Sequence, residues 1–126
     1  MTTVSITIWG KPVPAGRPRV FKNGGVSYPK THLQYLKSIK PTLAEHKPTT
    51  LEVLVSVKME FVFPKYKGSD YPTYRADLDN LAKIVLDEMT KQEYWSDDSL
   101  VSELVLTKRF ANDNETPNTR ITIAEM

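Results

Sequence analysis

Asp77 and Asp79 lie two residues apart in Arg75-Ala76-Asp77-Leu78-Asp79-Asn80-Leu81-Ala82-Lys83, and Lys83 follows Asp79 by one helical turn. A second acidic pair, Asp97-Asp98, comes later in the chain. Carboxylates grouped in this way repel one another at neutral pH unless a cation lies between them. Their oxygens are hard donors, the type that suits Mg²⁺, an ion that keeps several waters beside one or two carboxylates. Next to a phosphodiester such an ion activates water and offsets charge on the leaving oxygen. Lys83 supplies a matching cation for the extra negative charge of the transition state, or helps to orient the attacking water. The pattern predicts a metal-dependent nuclease. Asp-x-Asp alone says less, because it also occurs in turns and at nucleotide-sugar sites; the lysine and the later acidic pair narrow the reading.

These residues need elements to position them. Leu78, Leu81, Ala82, Val85, Leu86 and Met89 form an apolar stripe at helical spacing, which predicts a helix over about residues 78–90. Asp77 and Asp79 then stand at its mouth, where the helix dipole favours negative charge. Asp79 therefore also reads as a simple capping carboxylate. Asp87 continues the Asp79–Lys83 face but lies roughly 12 Å further along, too far to share an ion with Asp79; it is expected to pair with Lys83 or Lys91. Trp95 is expected to dock on the core and aim Asp97-Asp98, one of which would complete the acidic bay from a neighbouring strand end. A turn or cap before a strand is the plainer role for that pair.

The remaining segments complete the frame. Val4, Ile6 and Ile8 alternate with polar residues as in a half-buried strand. Asn23-Gly24-Gly25 marks a hairpin whose arms hold Arg17, Arg19 and Lys22, with Lys30 just beyond. Guanidinium groups match phosphate geometry, so this reads as a ribbon that grips a nucleic-acid backbone, or as a solvated hairpin. Residues 31–44 read as a helix with Thr31 as N-cap, Leu33, Leu36, Ile39 and Leu43 as its stripe, and Pro41 as an interruption. Residues 51–63 read as one long strand with Leu51, Val53, Val55, Val57, Met59, Phe61 and Phe63 inward and Val62 among the outward set. Residues 64–74 read as a loop in which Lys65, Lys67 and the tyrosines could touch nucleic acid. Strands over 100–110 and 120–124 follow. The order β, hairpin, α, β, α, β, β predicts an α/β (α+β) class: a single small domain over 1–126, with a mixed sheet flanked by helices.

The chain has 126 residues and no cysteine, which excludes disulfides, thiolate metal sites and a cysteine nucleophile. Two histidines, His32 and His46, are too few for a multi-histidine zinc site. No apolar run is long enough for a membrane span, and the N-terminus reads as a strand rather than a signal peptide. The net charge of +2 conceals a polarity. Residues 1–44 carry seven bases and no acid, whereas residues 45–126 carry ten bases and all 15 acids. A basic half suits a polyanion, and the acidic half supplies the carboxylates.

Gly16-Arg17-Pro18-Arg19, Tyr28-Pro29-Lys30, Asp77-Leu78-Asp79-Asn80-Leu81-x-Lys83 and Trp95-Ser96-Asp97-Asp98-Ser99 together resemble the RusA family of Holliday junction resolvases. The resemblance implies a Mg²⁺-dependent homodimeric endonuclease, with Mn²⁺ as a substitute ion. Its partner would be four-way junction DNA, which it nicks symmetrically in two strands during recombination and repair. The setting would be the cytoplasm of a bacterial cell, with a phage or prophage origin. It also implies that Asp77, Asp79 and Asp98 are the essential metal-binding acids and that Lys83 is needed for catalysis. A junction is two-fold symmetric, and paired incisions need two sites related by a matching axis. A less selective metal-dependent nuclease and a non-catalytic protein that binds branched DNA are the alternatives.

Overall fold

Strand β4 (Val55–Phe63) organises the sheet, because alternate side chains along it are wholly inaccessible while Ser56, Lys58 and Glu60 face outward. The computed structural model describes residues 3–65 and 76–126; Arg75 and the stretch 66–74, for which DNA contacts were expected, lie outside the described residues. The other elements are β1 (Thr3–Trp9), β2 (Arg19–Val20), β3 (Val26–Ser27), α1 (Lys30–Glu45), α2 (Leu78–Lys91), β5 (Val101–Phe110) and β6 (Asn118–Glu125). A single 3-10 turn, Asp98–Leu100, precedes β5.

The main sheet has the order β1-β6-β4-β5. β6 is antiparallel to both of its neighbours, and β5 is parallel to β4. The sheet is mixed, as the sequence predicts. The parallel pair requires a crossover, and α2 supplies it. Cross-strand register places Ile6, Ile121, Met59 and Leu106 in one row, and Val57 and Ile123 beside one another. Helices α1 and α2 cover this face with Ile39, Leu43, Leu81, Val85 and Met89. The class is α+β, in one small domain.

Several local expectations change. The strand starts at Val55, not at Leu51. Leu51 instead forms an isolated parallel bridge with Trp95: its N–H donates to Tyr94 O at 2.9 Å, and its O accepts from Ser96 N at 3.0 Å. Val53 and Leu54, between bridge and strand, are exposed. Val62, expected outward, is buried. Helix α1 begins one residue earlier than expected; Pro29 is its N-cap, and no side chain caps it. Its buried stripe is His32, Tyr35, Ile39 and Leu43, and Leu33 is exposed. Pro41 lies within the helix on its exposed side, so the helix continues past it.

Candidate active site

Helix α2 starts where Asp77 takes an extended conformation (φ −73°, ψ 143°) and its carbonyl accepts from Leu81 N at 3.0 Å. An aspartate at this position commonly folds back to accept from the first-turn N–H groups. Asp77 does not: its side chain makes no capping hydrogen bond. The carboxylate therefore remains available at the positive end of the helix dipole. Asp79 lies in the first turn and Lys83 one turn later, and all three are exposed. Two carboxylates with space for water are a donor set that fits a hard divalent cation.

Two contacts hold this mouth in place. Lys108, near the end of β5, donates from Nζ to Ala76 O at 2.8 Å. Ala15 N donates to Asn80 O at 2.8 Å, which ties the entry to the hairpin to the first turn of α2. The next residue, Gly16, donates its N–H to His32 Nδ1 at 3.0 Å. A Cβ at Gly16 would fall 2.5 Å from Pro29 Cγ, so no larger residue fits there without displacing that ring. The His32 ring stacks on Tyr28 with centroids 4.5 Å apart. Burial lowers the His32 pKa below its usual value, opposed by Asp87 and aided by Lys91. The hairpin thus stands on the same support as the acidic mouth.

Arg17, Arg19, Lys22 and Lys30 are exposed along that hairpin and at the start of α1. Only Arg19 lies within a strand; Arg17 precedes β2, so strand alternation does not orient it. Gly24 takes a positive φ of 84°, as the Asn-Gly-Gly turn predicts.

Asp98 is placed elsewhere. Trp95 is buried, as expected, and its Nε1 donates to Thr90 Oγ1 at 3.0 Å. Tyr94 is buried beside it and donates to Leu43 O, and burial pushes its hydroxyl pKa up to about 12. These anchors hold the Asp97-Asp98 segment at the C-terminal end of α2. There Asp97 caps the 3-10 turn, accepting from Ser99 N at 3.0 Å, which is the plainer of its expected roles. That bond, with help from Asp98 and the Ser99 hydroxyl, holds the Asp97 carboxyl below the usual carboxylate range.

Because α2 is a crossover between parallel strands, its two ends lie at opposite ends of β5. The 14 residues of α2 span roughly 20 Å at 1.5 Å each. The seven steps from Val101 to Lys108 span roughly 23 Å at about 3.3 Å each. Asp98 precedes Val101, whereas Lys108 contacts the residue before Asp77. Asp77, Asp79 and Lys83 therefore all lie on the N-terminal turns of α2, and within one chain Asp98 stands a strand's length away. Among the described residues no group of three His, Cys, Asp or Glu side chains is close enough to hold a metal ion. The expectation that a strand end delivers the third carboxylate to the same bay is corrected here. The strand end that carries it is the start of β5, while the bay adjoins the finish.

Sequence reasoning missed Lys108, although a signal existed: it shares the inward face of β5 with Leu106 and Phe110, an unusual place for a lysine. It also missed Glu88, which is buried on α2. Asp87 forms no ion pair with Lys83 or Lys91 among the described residues; it lines a cavity with His32. Lys65, one of the loop residues that could touch nucleic acid, pairs with Asp113. No helix among the described residues is long and apolar enough to cross a membrane.

An exposed acidic helix mouth beside a basic hairpin, on a mixed sheet with two covering helices, sets oxygen donors near exposed cations, the residue types that a nuclease needs. The sequence comparisons agree with that class. Residues 10–124 match the family described as Endodeoxyribonuclease RusA, and the chain belongs to that family. It is also 30% identical, over 148 aligned positions, to Uncharacterized protein YqaN of Bacillus subtilis (strain 168), an alignment that covers 100% of this chain and 99% of that protein.

Proposed function

We propose that the protein is a Mg²⁺-dependent endonuclease that resolves four-way DNA junctions by paired symmetric nicks in recombination and repair, acting as a homodimer in the bacterial cytoplasm. The observation that carries the reading is the Asp77 carboxylate left free of its own helix in a chain of the RusA endodeoxyribonuclease family. Asp77 and Asp79 would hold the ion, with Mn²⁺ as a substitute. A bound ion of this type strengthens water as a nucleophile and offsets charge on the leaving oxygen. Lys83 faces the developing negative charge on the phosphate. Arg17, Arg19, Lys22 and Lys30 grip backbone phosphates and set the register of the DNA.

Asp98 enters this reading from the partner subunit. β5 is an edge strand among the described residues, with Leu104 and Val105 exposed on it. An uncovered edge invites pairing with another strand. Antiparallel pairing of two β5 edges about a two-fold axis would set the start of each beside the finish of the other. That arrangement carries Asp98 of each copy towards the Asp77–Asp79 mouth of its mate, and gives two equivalent sites for a two-fold symmetric junction.

The test is cleavage of a labelled four-way junction, a flap and a linear duplex, with Mg²⁺ and with EDTA. Junction-selective nicking that EDTA stops, and that Asp77→Asn loses while still binding the junction, is the expected result. Equal nicking of all three substrates would indicate a less selective nuclease. Salt-sensitive binding without cleavage in Mg²⁺ or Mn²⁺ would indicate a non-catalytic binder.

A further inference from the structure

Three large apolar side chains of the hairpin face water: Val20 is 74% exposed, Phe21 51% and Val26 58%. Val20 and Val26 are register partners in the two-stranded ribbon, and Phe21 follows at its tip. None of the three belongs to the core or packs against it, whereas Val13 and Ala15 at the base of the ribbon do. The tip is nevertheless fixed. Phe21 N donates to Gly25 O at 2.8 Å, Gly24 N to Phe21 O at 2.9 Å, and Gly25 N to Asn23 Oδ1 at 2.9 Å. One exposed apolar residue needs no explanation, but three within seven positions form a patch, and such patches mark contact surfaces. The closed turn also leaves the tip backbone little freedom to lose on binding.

Charge selects the occupant. Arg17, Arg19, Lys22 and Lys30 flank the patch in sequence, and residues 1–44 contain no acid. Among the described residues no ion pair engages these cations. A second copy of the hairpin is therefore repelled and a polyanion attracted. An intact duplex meets the charge but not the apolar groups, because each flat base face is covered by its neighbour. A branch point meets both: it has backbone phosphates, and base pairs left uncovered on one face where the arms part. We infer that the hairpin tip distinguishes a branch from a duplex, with the Phe21 ring stacked on a base pair that ends at the branch and the flanking cations on adjoining phosphates. Apolar side chains, Phe among them, serve in this way at interrupted base steps, and stacking is indifferent to sequence because every base has a π-face. This inference rests on the proposed junction reading and names what gives that site its selectivity. The tether fits it: Ala15 is bound to the first turn of α2, and the six residues from there to Phe21 reach at most roughly 20 Å, about six base-pair steps.

The experiment compares binding of a four-way junction and of a linear duplex of the same sequence, both in EDTA. Phe21→Ala should weaken junction binding about tenfold, the effect of losing one stacked base, and leave duplex binding unchanged. Arg19→Ala, the control, should weaken both. Phe21→Trp should keep the preference, and its added indole emission should be quenched by the junction and not by the duplex. Equal loss on both substrates in Phe21→Ala, or no loss on either, overturns the inference, as does an indole that the junction leaves unquenched. Light scattering that shows Phe21→Ala to have lost a dimer would assign the tip to a contact between copies and overturn it too. Junction binding by the unaltered protein no tighter than duplex binding would instead sink the junction reading on which this rests.

Discussion

Lys108 Nζ donates to the carbonyl oxygen of Ala76 at 2.8 Å, so the finish of β5 holds the residue immediately before Asp77. The contact fixes where the chain turns into α2 and hence where the first carboxylate stands. Lys108→Met should cost about 1 kcal/mol of stability, the usual worth of one hydrogen bond. It should cost much more in activity, roughly tenfold or beyond, since small displacements of reacting groups are expensive. Thermal unfolding and single-turnover cleavage separate the two effects. Lys108→Arg should restore most of the rate, and equal losses in both measurements would mean that the contact is only structural.

Much of the site could be read from residue types alone. The stripe from Leu81 to Met89 places Asp77 and Asp79 at a helix mouth, and Asn23-Gly24-Gly25 marks the hairpin. What escaped was relational. The alternation of residues 51–63 continues through Val53 although Leu51 is paired with Trp95, because side-chain pattern does not reveal a backbone partner. The position of Asp98 depends on β5 lying parallel to β4, and strand direction leaves no local trace. The carboxylate of Glu88 sits inside the helix stripe in space, although its type places it on the surface.

The His32–Gly16 bond makes the hairpin base sensitive to acid. Nδ1 accepts the Gly16 N–H only while it carries no proton. The groups around the ring are Tyr28 stacked on it, and Asp87, Glu88, Lys83 and Lys91 from α2. Burial dominates and lowers the folded pKa below 6.5. The folded state then binds fewer protons than the unfolded state, so this contribution is complete above pH 6.5 and is lost as pH falls through the folded value. Urea midpoints measured from pH 8 to pH 5 should fall below pH 6.5. In His32→Gln that segment of the profile should flatten, and a wild-type-like slope in the variant would refute the assignment.

The hairpin cations should act through charge and not through sequence. Arg19→Ala should reduce the slope of log affinity against log salt by about one, and Arg17→Ala with Arg19→Ala by about two. The loss should be uniform across junctions of different sequence, because phosphate contacts carry no base information. Fluorescence titrations at several salt concentrations provide the slopes. Unchanged slopes would return the ribbon to the role of a solvated hairpin.

The separation of Asp98 from Asp77 along β5 yields the sharpest test, because it distinguishes a site within one chain from a site shared by two. Asp77→Asn and Asp98→Asn should each abolish cleavage. If the acids act within one chain, a mixture of the two variants stays inactive, since every site lacks one carboxylate. If they act between chains, a mixed dimer holds one intact site, built from Asp77 of one copy and Asp98 of the other. Co-refolded variants should then recover about a quarter of the wild-type rate, since roughly half of randomly assorted dimers are mixed and each carries one active site of two. Those dimers should nick only one strand of each junction. Recovered single nicks would establish the shared site, and silence from the mixture, with dimers confirmed by light scattering, would place all three acids in one chain.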